Sequence, residues 1–435
     1  MTESAKHNDW PKVTVDEVAA DVTVGHVGPM ADEYLEAGVP FLRSLSVERF
    51  GIREEGLKFI SREFHTKLRK SALVPGDVVI VRTGKPGTCA VIPDWLNDAN
   101  CSDLVIVRCG PRVRPHFLCY IVNSVAGAHI DSHTVGAVQQ HFNVGSARTL
   151  SFLLPPLDEQ DRILALLRGL DDKIELNRKM NATLEAMARA LFRDWFVDFG
   201  PTRAKMEGRA PYLSPDLWPL FPARLDAEGK PEGWEVFTLG QIADHHTKSL
   251  TPAKMADGEV EHFSLPAFDK GQIPAIDHGA TIKSNKTLVP PEAILLSKLN
   301  PEIPRIWMPE TQGRLPQVTS TEFLAYTAKG GAGRSFLFCL FSDQGFREML
   351  HGMVTGTSKS HQRISPPSLL GRDVVVGATQ MFGAFEKLVA PLLERVRANR
   401  AESRTLAQTR DLLLPRLMSG ELRVAEAARL ASEVA

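Results

Sequence analysis

His129 and His133 stand four residues apart in the run HIDSH, a spacing that sets two imidazoles on one face of a helix, as zinc sites require. Zinc proteases also carry a glutamate directly after the first histidine as general base, and this chain has Ile130 there. A metal site is therefore not expected. Pro215-Asp216 followed by Glu228-Gly229-Lys230 imitates the signature of magnesium-dependent nucleases. Both parts fall in a stretch crowded with Pro and Gly, not on the adjoining strands that the paired carboxylates would need. GKPGTC from Gly84 lacks the spacing and the Gly-Lys-Ser/Thr ending of a phosphate-binding loop, and no Gly-rich dinucleotide fingerprint follows a strand. The Asn/Asp-Pro-Pro-aromatic motif of amino-methyltransferases is missing as well. Cys89, Cys101, Cys109, Cys119 and Cys339 form an odd set with no CxxC pair, which points to reduced, mostly buried thiols rather than disulfides or zinc. No catalytic centre emerges, so bond-making or bond-breaking must come from partner chains.

Other residues suit contact with DNA. Arg82, Thr83 and Lys85 lie in RTGKPG, and Gln139, Gln140 and His141 in GAVQQHFN; further on come Lys298 and Asn300, then Lys359, His361, Gln362 and Arg363. Gln and Asn can pair in bidentate fashion with adenine edges, Arg with guanine, and Lys or Thr with phosphate. The plain alternative for each is a polar surface turn. The balance of 51 Lys+Arg against 52 Asp+Glu gives no basic surplus and counts mildly against nucleic acid, although local patches can be basic on a neutral chain.

The elements that would position these loops are written twice. WPKVTVDEVAADVTVG from Trp10 is echoed by WEVFTLGQIADHHTKS from Trp234, and LVPGDVVIVRTGKPG from Leu73 by LVPPEAILLSKLNPE from Leu288. GAVQQHFNV from Gly136 matches GTSKSHQRI from Gly356, which sets His141 against His361 and Val144 against Ile364. A common order with drifting offsets means insertions in loops between shared elements. After each copy comes a helix with a coiled-coil seam. Ile163, Leu167, Leu170, Ile174, Asn177, Asn181, Leu184, Ala188 and Leu191 recur at steps of four and three. Phe385, Val389, Leu392, Val396, Asn399, Ser403, Leu406, Arg410 and Leu413 repeat the rhythm, each 222 residues later (385 − 163 = 222). Asn177, Asn181, Asn399 and Ser403 interrupt both seams at matching places, and polar seam residues fix register at some cost in stability. The Pro155-Pro156 stop, with Asp158 as cap, starts the first helix.

The chain resembles the specificity subunits of type I restriction–modification systems over nearly its whole length. The marks are LPPLDEQDRI from Leu154, NRKMNATLEAMARALFRDWFVDFGP from Asn177, PEGWEVFTLGQIA from Pro231 and LLLPRLMSGEL from Leu412. The second repeat departs by having VGATQMFGAFEKLV where the family shows a PPLxEQ-like run. The resemblance implies two target-recognition domains, each reading half of a split double-stranded DNA site. It also implies two methyltransferase subunits docked on the helices and ATP-dependent endonuclease/translocase subunits for cleavage. S-adenosylmethionine, ATP and Mg²⁺ would then belong to those partners, with no cofactor or metal in this chain.

The expected fold is α+β, with two similar domains each followed by a long helix, and the helices paired as an antiparallel coiled coil with pseudo-twofold symmetry. The expected divisions are 1–156 and 234–377 for the domains, 157–199 and 378–420 for the helices, 200–233 for an extended connector and 421–435 for a tail. No run approaches the roughly 18 apolar residues of a membrane span, and MTESAKHNDWPK has no apolar signal core, so a cytoplasmic protein is expected. Two rivals stand beside this reading: a recognition subunit whose methyltransferase and nuclease are fused in one partner, and a coiled-coil adaptor that binds proteins only.

Overall fold

The computed structural model describes residues 10–133, 142–251, 254, 258–310, 315–354 and 363–432. The chain divides into two compact units, Met1–Leu176 with Glu402–Ala435, and Asn177–Ala401. The division falls inside both long helices rather than at the domain ends, so each unit holds one mixed α/β domain and half of each helix.

In the first unit, Val78–Val81 and Leu104–Cys109 begin as continuous apolar runs whose opening residues are all buried. Such runs need cover on both faces. They pair antiparallel at the centre of a sheet ordered Ala19–Val24, Leu104–Cys109, Val78–Val81, Cys89–Val91. Alternation sends Val78, Ile80, Val105 and Val107 toward Phe117 and Ile121 of the helix Pro115–His133, and Val79, Val81, Leu104 and Ile106 toward Leu42, Leu73 and Cys101. Those last residues belong to a second sheet, in which Val39–Leu42 pairs parallel with Ala99–Cys101. The domain closes on itself where Lys12–Thr14 pairs antiparallel with Ser151–Leu153.

The second unit repeats this plan. Its sheet runs Ala243–His246, Phe323–Ala328, Ile294–Ser297, Ile306–Trp307. A second sheet again contains one parallel pair, Glu259–Phe263 with Gln317–Thr319, and the closing pair is Glu235–Thr238 with Asp373–Gly377. Each closing strand runs into a one-turn helix through a capping box, Thr14 with Glu17 and Thr238 with Gln241, which satisfies backbone donors at the turn.

The long helices span Leu157–Phe196 and Thr379–Met418, about 60 Å each at roughly 1.5 Å per residue. The Pro156 carbonyl accepts from the amides of Glu159 and Gln160, so Asp158 lies within the first turn and is not the cap. In the first unit Ile163, Leu167 and Leu170 share a core with Leu406, Leu413 and Leu417. The two segments run antiparallel, with Asp171 bonded to Arg410 and Lys173 3.5 Å from Glu402. Arg410 occupies a seam position because Asp171 neutralises it and its guanidinium lies 4.7 Å from the Phe50 ring centre. In the second unit Ala188 and Phe192 pack with Phe385, Val389 and Leu393. Leu393, not Leu392, is the buried leucine there. Asn399 donates to Asn181 at 2.9 Å and its carbonyl accepts from Asn177 at 3.4 Å, while Ser403, in the first unit, is half-buried.

Two expectations need correction. The connector is not extended throughout: Gly200–Met206 is helical, with Pro201 in its first turn, and Thr202 and Ala204 are fully buried. Phe221 packs edge-on against Trp195 at 5.0 Å. The tail carries a helix, Val424–Ser432, whose Ala427 and Ala431 enter the first unit's core. No helix among the described residues is long and apolar enough to cross a membrane.

Candidate nucleic-acid interface

Arg82, Thr83 and Lys85 occupy the loop between the paired strands Val78–Val81 and Cys89–Val91. Gly84 and Gly87 take positive φ of 88° and 86°, backbone that a tight turn demands and glycine adopts without strain. The Gly87 amide bonds the Val81 carbonyl at 3.0 Å and the Val81 amide bonds the Thr88 carbonyl at 2.8 Å. Lys85 is exposed at the tip, and Arg82 and Thr83 are half-buried at its base. Lys298 and Asn300 follow the equivalent strand, Ile294–Ser297, with Asn300 at φ 49°.

In each domain the second polar segment is tied to the first by one hydrogen bond. The amide of Phe142 donates to the Arg82 carbonyl at 3.1 Å, and the amide of Ile364 donates to the Lys298 carbonyl at 3.1 Å. Phe142 and Ile364 are both buried, which fixes the end of each segment in its domain's core. This equivalence matches Phe142 with Ile364, which shifts the repeat by two residues from the pairing of Val144 with Ile364. In the second domain Leu299 and Arg363 also form an antiparallel bridge, which brings Lys298, Asn300 and Arg363 together. Gln139, Gln140 and His141, and Lys359, His361 and Gln362, lie outside the described residues.

Two carboxylates that sequence reasoning missed complete the sites. Arg82 Nη1 donates to Asp103 Oδ1 at 3.0 Å. Arg363 donates through Nε to Glu322 Oε2 at 3.2 Å and through Nη2 to Glu322 Oε1 at 3.1 Å. That hydrogen bond, and then the charge of Glu322, raise the Arg363 pKa further above its ordinary value. Asp103 and Glu322 each directly precede the central strand of their sheet, Leu104–Cys109 or Phe323–Ala328. The available signal was the pairing of SDLVIV with TEFLAY at matching places in the repeats.

The nuclease look-alike is tied up locally, and the side chains of His129 and His133 lie outside the described residues. Lys230 folds back onto Asp226 at 2.5 Å and Glu228 at 2.6 Å in a local turn. Burial pushes the Cys109 thiol up to about 12 and raises those of Cys101 and Cys339 further, which suppresses the thiolate a nucleophile needs. All five cysteines are free. Among the described residues no group of three or more His, Cys, Asp or Glu could hold a metal ion.

Two α/β domains of one plan, each joined to paired helices and each holding an arginine on a carboxylate beside a central strand, define a duplicated scaffold. Proteins similar to this chain include specificity subunits of type I restriction enzymes. The chain is 25% identical over 327 residues to the HindI specificity subunit of Haemophilus influenzae, covering 64% of this chain and 70% of that one. It is 27% identical over 282 residues to the MjaIX specificity subunit of Methanocaldococcus jannaschii, covering 62% of this chain and 60% of the relative. The fold is that of the S subunit from M. genitalium, with a TM-score of 0.53 at 15% identity over 96% of this chain and 98% of that one. No family model matches the chain.

Proposed function

We propose that this chain is the DNA-recognition subunit of a type I restriction–modification complex. It reads a bipartite, asymmetric site and positions two methyltransferase subunits and, for cleavage, ATP-dependent endonuclease subunits. The observation that carries the reading is the duplicated loop pair. In both domains a segment whose sequence is rich in residue types suited to bases and phosphates ends in a buried apolar residue tied to the carbonyl that follows the same strand, at the same 3.1 Å. Nonidentical residues on matching frames suit a site whose halves differ, as paired domains and split sites correspond in other DNA readers. S-adenosylmethionine, ATP and Mg²⁺ belong to the partner chains, and the complex acts in the cytosol.

Methylome sequencing of cells expressing the chain with its modification subunit tests this directly. One new methylated motif with two separated halves is the expected result. A purified complex should also bind that duplex with an affinity that falls steeply as salt rises. Assembly without salt-dependent DNA binding would make the chain a protein adaptor instead.

A further inference from the structure

We infer that Asp103 and Glu322 are equivalent positioning residues that set the half-site preference of their domains by fixing the orientation of Arg82 and Arg363. The inference deepens the DNA-recognition reading and rests on it. The two carboxylates sit at the same place in the repeat, immediately before the central strand, although the arginines they hold come from different loops. An ion pair that served only stability has no reason to keep its acid in place while its base changes loop.

Both acids are themselves held by backbone. Asp103 adopts a positive φ of 54°, its amide bonds the His26 carbonyl at 3.2 Å, and the Glu322 carbonyl accepts the Lys298 amide at 2.9 Å. The geometry on Arg363 is specific. Guanidinium presents five donors in a rigid fork, and Glu322 takes the Nε/Nη2 edge. Guanine O6 and N7 are matched by two parallel donors of such a fork, so a carboxylate on the Nε side orients the group toward a base edge. An arginine ordered before DNA arrives loses less freedom on binding. The acid's charge also opposes any nearby phosphate, so the pair favours discrimination over general affinity.

Binding of the full-length chain, assembled with its methyltransferase partner, is measured on a library of duplexes varied in one half-site at a time. Glu322→Ala should weaken discrimination at one half-site by about five- to a hundredfold, the range of one good base contact, and leave the other half-site unchanged. Asp103→Ala should do the same at the opposite half-site. Glu322→Gln, which keeps shape and one acceptor, should recover part of the loss. Binding to a scrambled duplex should stay equal or tighten in all three. Unchanged discrimination in both alanine variants, or an equal loss at both half-sites, overturns the assignment. If the unsubstituted complex shows no salt-dependent sequence discrimination, the recognition reading fails first. Should Glu322→Ala fail to fold by circular dichroism, Asp103→Ala decides alone.

Discussion

Residue types were legible where chemistry dictates them, and residue partnerships were not. Arg82 and Arg363 stand out in a sequence because guanidinium suits both phosphate and guanine. That each meets a carboxylate depends on strand registers that bring Asp103 and Glu322 across from distant positions. The pairing of Val144 with Ile364 failed for a related reason: like residues nearby suggest it, whereas the backbone bonds of Phe142 and Ile364 fix the correspondence. Gln160, within LPPLDEQDRI, shows what a family mark does physically. Its fully buried amide accepts from the Arg114 amide at 2.9 Å and donates to the carbonyls of Arg112 at 3.0 Å and Pro155 at 2.9 Å. Gln160→Ala strands the buried Pro155 carbonyl and two part-buried groups, the Arg112 carbonyl and the Arg114 amide, with a cost of roughly 1–3 kcal/mol for a buried unsatisfied group. A loss of about 3 kcal/mol in denaturant unfolding is expected, against less than about 0.5 kcal/mol for the exposed neighbour Asp158→Ala. In the second repeat Glu386 takes over only the accepting part of this role, from the amides of Ser335 and Phe336 at 3.1 Å.

Elements with a long, regular pattern were readable, and short ones were not. Forty residues of seam average over local irregularity, so both long helices follow from periodicity alone. Gly200–Met206 and Val424–Ser432 are too short to form on propensity. They exist because Ala204, Ala427 and Ala431 are small enough to sit fully or almost fully buried against their unit's core. Within the second helix the seven-residue pattern named Leu392, but beside the aromatic cluster of Phe192, Phe336 and Phe385, with ring centres 5.4 to 6.1 Å apart, the buried positions step by fours from Phe385 to Val389 to Leu393. Leu393 is 1% exposed and Leu392 half-buried. Leu393→Ala should therefore cost about 2–5 kcal/mol, the range for a buried leucine, and Leu392→Ala several times less. Equal losses in thermal or chemical unfolding would return Leu392 to the seam.

At the scale of the whole molecule, duplication makes the strongest demand, because a reader built from two frames on shared helices has a separable ruler. In the second unit the helices run antiparallel, and Asn399 bonds Asn181 directly. Repeat equivalence would pair an insertion after Ala182 with one after Arg404. The antiparallel bond instead puts the facing point just before Asn399, after Arg397. Seven residues inserted after Ala182 and seven after Arg397 keep both seams nearly in phase and preserve the Asn177–Asn399–Asn181 contacts on one side of the insertion. Each helix lengthens by about 10 Å. With DNA rising about 3.4 Å per base pair, the half-sites of the proposed reader should separate by roughly three base pairs if the helices lie along the duplex. The added rotation around the duplex weakens some spacings, so binding is read across a library of spacer lengths. A folded, assembled double insertion that prefers a spacer about three base pairs longer makes the paired helices the ruler. One that keeps the original spacer moves that role to the partner subunits or to DNA bending. A single insertion, after Ala182 alone, leaves seven residues with no facing seam, and its unfolding midpoint should fall well below that of the matched pair.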